Sequence, residues 1–149
     1  MQQYKVSLLE LESFAEKFIA RHTHATVVGL AGELGAGKTT FVRSVVSVLA
    51  GSGNISVPKV ISPTFVFHQS FAKLPRAVEH FDLYRLEKAG RASLIEIGYY
   101  DALDRARQGN GFVFVEWPSH VEDLSLLELD IHLNWELFPD SRIIRESTR

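Results

Sequence analysis

The chain has 149 residues, with 16 Lys and Arg against 18 Asp and Glu, for a formal net charge of −2. Hydrophobic residues make up 46% and charged residues 23%, the composition of a soluble globular domain, and the near-neutral balance excludes a generally basic nucleic-acid binder. The absence of cysteine excludes disulfides, thiolate metal sites and cysteine nucleophiles.

Met1-Gln2-Gln3-Tyr4-Lys5 lacks a basic region followed by an apolar run, so it does not read as a signal peptide. No segment approaches the ~20 continuous apolar residues of a membrane span. The expectation is one soluble, cytoplasmic domain over residues 1–149. Ser7 followed by Glu10 is a capping-box pattern, and Leu11, Phe14, Ala15, Phe18 and Ile19 recur behind it at helical spacing. This predicts a helix to about Arg21. Thr26-Val27-Val28-Gly29-Leu30-Ala31 has no polar alternation and reads as a strand buried on both faces, ending at Gly32. A second helix fits from Thr39 to about Leu49, with Val42, Val45, Val46 and Leu49 on its inner face and Gly51-Ser52-Gly53 stopping it.

Residues 54–64, with Pro58 and Pro63, read as an ordered loop, and Phe65 to Phe71 and Val78 to Asp82 as strands. Ser93 to Gln108 is expected to be helical in part, with two tyrosines at its middle. Phe112 to Val115 is a second buried strand, ended by Glu116-Trp117-Pro118, and Leu129 to Trp135 and Arg142 to Glu146 alternate as late, partly exposed strands. Interleaved strands and helices predict an α/β layered fold. No internal repeat or second-domain boundary is visible.

The strongest motif is Gly32-Glu33-Leu34-Gly35-Ala36-Gly37-Lys38-Thr39, a full match to the phosphate-loop pattern, between a buried strand and a helix. Its glycines let backbone amides approach phosphate oxygens, and the helix N-terminus adds partial positive charge. Lys38 would reach the β- and γ-phosphates, and the Thr39 hydroxyl would ligate Mg²⁺. No Asn-Lys-x-Asp guanine-reading element occurs, which favours ATP over GTP.

Phosphoryl transfer also needs a carboxylate near the metal and a group that orients water or an acceptor. Glu116 follows four apolar residues, the form expected of an acid at the carboxyl end of a buried strand, where α/β folds place ligands. Asp82, after a predicted strand, fits either a metal contact or a turn cap. Ser62-Pro63-Thr64 fits either a switch-like bend carrying hydroxyls toward the γ-phosphate or a plain turn. His22 and His24 read as a polar helix-end loop, and the six histidines show no H-E-x-x-H spacing. Trp117 by itself reads as a tryptophan buried beside a strand end.

Gly32 to Thr40, Ser62-Pro63-Thr64-Phe65, His80 to Leu86 and Glu116-Trp117-Pro118, in that order, resemble the TsaE (YjeE) family, the bacterial ATPases of tRNA threonylcarbamoyladenosine biosynthesis. His-Phe-Asp-Leu-Tyr-Arg-Leu and Glu-Trp-Pro carry the specificity of the likeness, which spans nearly the whole chain. The resemblance implies a P-loop NTPase-like three-layer sandwich, with a mostly parallel central sheet flanked by helices. It implies ATP at Glu33, Leu34, Gly35, Ala36, Gly37, Lys38, Thr39 and Thr40, with Thr64 in the switch-like segment. Asp82 matches the family's metal-associated aspartate, and Glu116 its acid on the metal and γ-phosphate side. Trp117 matches a tryptophan with a role in activity. Arg142 stands where the family has a late arginine near the nucleotide, preceded by Ser141 where glycine is usual. Ser119 replaces a common acidic or amide residue, and the stretch from Leu49 to Ser62 is a few residues longer than expected.

The reading that results is an ATPase subunit supporting threonylcarbamoyl transfer to the adenosine beside the anticodon. The resemblance implies work with TsaD and TsaB, contact with tRNA only through that assembly, and no membrane partner. Lys38, Asp82 and Glu116 would be catalytic, with Thr39, Asp82 and Glu116 at Mg²⁺. The alternatives are a small-molecule kinase, for which Arg85, Arg91, Arg105 and Arg107 are scattered lid candidates, and a nucleotide-gated binding module.

Overall fold

The computed structural model describes residues 1–61 and 66–149. The Ser62-Pro63-Thr64 segment, and with it the candidate Thr64, lies outside the described residues. One seven-stranded sheet runs in the order β1-β7-β6-β2-β5-β4-β3. Its strands are β1 (Gln2–Val6), β2 (Thr26–Gly32), β3 (His68–Phe71), β4 (Val78–Asp82), β5 (Phe112–Glu116), β6 (Ile131–Leu137) and β7 (Arg142–Thr148). The helices are α1 (Leu11–Arg21), α2 (Lys38–Ser52), α3 (Arg91–Glu96) and α4 (Tyr99–Gln108). Among the described residues no helix is long and apolar enough to cross a membrane.

The sheet is mixed, which corrects the expectation of a mostly parallel one. Only β6, β2, β5 and β4 run parallel; β1–β7, β6–β7 and β3–β4 are antiparallel. Connection length explains the division. Parallel neighbours need a crossover of about a dozen residues or more, whereas β3–β4 and β6–β7 are joined by short segments.

Alternation along the central strands splits the interior into two cores. Val28, Leu30, Phe112, Phe114, Leu133 and Ile144 face α1 and α2, while Val27, Val113, Val115 and Phe81 face α3 and α4. Phe41 of α2 anchors the first core: its ring lies 5.4–5.7 Å from those of Phe14, Phe18, Phe114 and Trp135.

Local expectations fail where burial signals are weak. β1 is an additional edge strand; its residues are largely exposed, and only Tyr4 and Val6 turn inward, too short an alternation to read as a strand. Of the predicted Phe65–Phe71 strand, Phe65 lies outside the described residues, and among the described ones the strand begins at His68. The Asp82 N–H donates to the Phe67 carbonyl at 2.9 Å, just ahead of that strand. The Ser93–Gln108 stretch, expected to be helical in part, falls in two helices separated where Gly98 takes φ +81°. The two tyrosines therefore open α4, and their hydroxyls donate to the Leu127 and Leu126 carbonyls at 2.6 and 2.9 Å.

Glu79 ties the far edge together. This carboxylate, 1% exposed, accepts from His68 Nε2 at 2.6 Å, Ser70 Oγ at 3.0 Å and Arg105 Nε at 3.0 Å, joining β3, β4 and α4. Burial pushes its carboxyl up, but the three donors outweigh burial and hold it below the ordinary glutamate range. A carboxyl lowered on folding stabilises above its unfolded range, and that contribution is lost as pH falls through the folded value. Glu79→Gln is therefore expected to cost about 1–3 kcal/mol near neutrality, with the gap from wild type closing in acid. Urea unfolding at several pH values checks this; a pH-independent gap contradicts it. Phe41→Ala should cost about 3–5 kcal/mol in the same assay, and a loss below about 1 kcal/mol would show that this aromatic core collapses around the cavity.

Candidate functional site

The loop between β2 and α2 is built around glycines that no other residue can replace cheaply. Gly32 has φ +150°, and a Cβ there would come 2.6 Å from the Trp135 carbonyl oxygen. Gly37, at φ +110°, caps α2 and would press a Cβ to 3.2 Å from Arg142 Nε. Among the described residues no protein group accepts the N–H of Gly37, Lys38 or Thr39, as expected at a helix start. These amides meet a cleft of about 530 Å³ lined by Leu34, Gly35, Ala36, Gly37, Lys38, Thr39, Thr40, Asp82, Tyr84, Arg85, Glu116, Trp117 and Arg142.

Nearly all the residues singled out from sequence therefore share one cleft. Glu33 does not line it; its carbonyl accepts from Lys38 Nζ at 3.2 Å. Thr64 lies outside the described residues. Arg142, at the start of β7, lines the cleft and donates from Nε to the Ala36 carbonyl at 3.0 Å, bracing the loop from the far side.

Lys38 is folded back on its own loop. Its ammonium donates to the Gly32 and Glu33 carbonyls and stands 4.1 Å from the centre of the Trp117 ring. Burial pushes its pKa down, while the nearby Glu116, Asp82 and Glu33 carboxylates oppose the shift. Trp117 is only partly buried and takes φ +59°, which turns the chain after β5. Its ring lies 5.0 Å from that of Tyr84 and 5.3 Å from that of His120.

The two acids arrive on adjacent parallel strands. Asp82 pairs in register with Glu116. Asp82 Oδ1 accepts the Tyr84 N–H at 2.8 Å, so the turn-cap reading describes its present contact even as the residue lines the cleft. Burial raises the Asp82 pKa, the neighbouring Glu116 carboxylate adds to the rise, and the Tyr84 N–H opposes it. Glu116 is 2% exposed and accepts the Thr39 hydroxyl at 3.0 Å on Oε1 and 2.8 Å on Oε2. His80 Nε2 lies 2.6 Å from Oε2.

His80 and Tyr84 have no site role in the sequence reading, and Arg85 enters it only as a kinase-lid candidate. For His80 the signal was available: it lies two residues before Asp82 on a strand and so shares its face. Tyr84 and Arg85 follow the strand, where alternation no longer predicts direction.

The chain matches the family described as Threonylcarbamoyl adenosine biosynthesis protein TsaE over residues 6–144. It is 31% identical over 134 residues to the tRNA threonylcarbamoyladenosine biosynthesis protein TsaE of Haemophilus influenzae, covering 89% of this chain and 77% of that one. Against the TsaE protein of Rickettsia bellii it is 32% identical over 133 residues, covering 89% and 84% of the two chains. The crystal structure of Bacillus subtilus YdiB is similar at a TM-score of 0.63 and 25% identity, over 99% of this chain and 86% of the other. The extent of these matches establishes that the chain belongs to the TsaE family of threonylcarbamoyl adenosine biosynthesis proteins.

Proposed function

We propose that this chain is a P-loop NTPase-like, Mg²⁺-dependent ATPase that supports threonylcarbamoyl transfer to the adenosine beside the anticodon of tRNA, acting with TsaD and TsaB. The observation that carries the reading is the Thr39–Glu116 contact, which brings the glycine-rich loop and a strand-end acid to one cleft. The net charge of −2 favours action through protein partners over a direct grip on RNA.

The donor set suits this chemistry. Helix-start amides and the Lys38 ammonium favour phosphate oxygens. The Thr39 hydroxyl with Asp82 and Glu116 offers a few hard oxygen ligands, which suits Mg²⁺ sharing its shell with water and phosphate. Bound Mg²⁺ would offset charge on the phosphate oxygens.

In this reading Lys38 exchanges its loop carbonyls for phosphate oxygens. Asp82 is held by the Tyr84 amide through Oδ1, and its other oxygen would be the one offered to Mg²⁺. Glu116 orients the attacking water and accepts its proton. A kinase reading is weaker, because three of its four lid candidates are engaged elsewhere. Arg105 is bonded to Glu79, Arg107 to Glu128, and Arg91 lies over the Tyr100 ring.

The test is Mg²⁺-dependent ATP hydrolysis by the purified chain, alone and with TsaD and TsaB. Turnover is expected to rise with the partners and to vanish in Lys38→Ala; activity surviving that variant refutes the reading. Glu116→Gln should keep ATP binding and lose hydrolysis by about 100-fold or more. If that variant binds ATP, does not hydrolyse it and still supports tRNA modification fully, the chain is a nucleotide-gated module and turnover is incidental.

A further inference from the structure

Glu116 has two side-chain partners among the described residues, and the proposed chemistry takes one of them away. Thr39 bonds both carboxylate oxygens. Under the ATPase reading, on which this inference rests, the same hydroxyl is drawn toward the cation. The remaining side-chain partner is His80, whose Nε2 lies 2.6 Å from Oε2, with both side chains at most 4% exposed, so Oε1 is left for the water or the cation. A carboxylate only accepts, so Nε2 carries the hydrogen in this contact. The imidazole comes from β4, on a different strand from Glu116, and sits in register with Phe114, two positions before the Asp82–Glu116 pair. It therefore grips the carboxylate from a rigid part of the sheet that need not move when the loop rearranges.

We propose that His80 is a positioning residue that keeps the Glu116 carboxylate aimed at the attacking water once Thr39 has turned away. Without it the carboxylate rotates about its last torsion, and the water is misplaced while the phosphate cradle stays intact. The loss therefore falls on turnover and spares nucleotide binding.

The test uses the full chain with its partners, reading kcat and KM for ATP hydrolysis, ATP affinity by calorimetry, and thermal melting. His80→Ala should lower kcat by about 10- to 100-fold with ATP affinity nearly unchanged. His80→Gln, whose amide N–H can take the place of Nε2, should recover most of the loss. In a Glu116→Gln background His80→Ala should add almost nothing, because the two residues act as a unit. Should His80→Ala fail to fold, His80→Asn, with an amide too short to reach Oε2, takes its place. Normal kcat in the truncated variant, equal losses in the Ala and Gln variants, or a full further loss in the Glu116→Gln background would each overturn the proposal. A wild-type chain that fails to hydrolyse ATP with its partners defeats the ATPase reading itself and this inference with it. Normal wild-type turnover with an insensitive His80 defeats only the inference.

Discussion

A carboxylate that ends a strand buried on both sides is costly unless its oxygens are hydrogen-bonded. Glu116 is in that position, and its partners come from two other elements: Thr39 from the first turn of α2, and His80 from β4. The contact draws together the ends of β2, β4 and β5. Asp82, Lys38 and Trp117 collect around it because their strands and loop end at the same edge.

The sheet makes such an arrangement affordable. Its four central parallel strands end at one edge, and the antiparallel strands outside them extend the wall without blocking it. Arg142, carried by β7, braces the glycine-rich loop from the side opposite the acids. Two separate cores hold the strand ends in place, so the hydrogen bonds among Thr39, His80 and Glu116 need not stabilise the fold by themselves.

Lys38 is held by its own loop in a way that leaves its charge uncommitted. Its ammonium is satisfied by the loop's own carbonyls and by the Trp117 ring, so it is neither unpaired nor committed to a carboxylate. An incoming anion need only replace weak neutral acceptors. A buried ion pair there would have been far harder to break. Trp117, held in a left-handed turn, keeps an aromatic face toward the loop at the point where β5 ends.

The strands buried on both faces, the helix behind the glycine-rich loop and the loop itself are legible from residue order, because burial on both sides and the demands of a tight turn leave a local composition. The same holds for Glu116 as a strand-end acid. β1 was illegible because only Tyr4 and Val6 of this edge strand turn inward, too short an alternation to read as a strand. That Ser93 to Gln108 is helical in part was legible, but the place of the break was not, since a single glycine taking a left-handed conformation at Gly98 leaves no mark on the apolar spacing. What the residues determined by themselves is therefore the local chemistry: which loop can turn, which strand is buried, which acid stands at its end. Tertiary structure alone decided the mixed sheet, the partnership of His80 with Glu116 and the resting place of Lys38. Those features depend on strand order and on contacts between residues far apart in the chain, such as Thr39 and Glu116, 77 positions apart, and no local pattern encodes them.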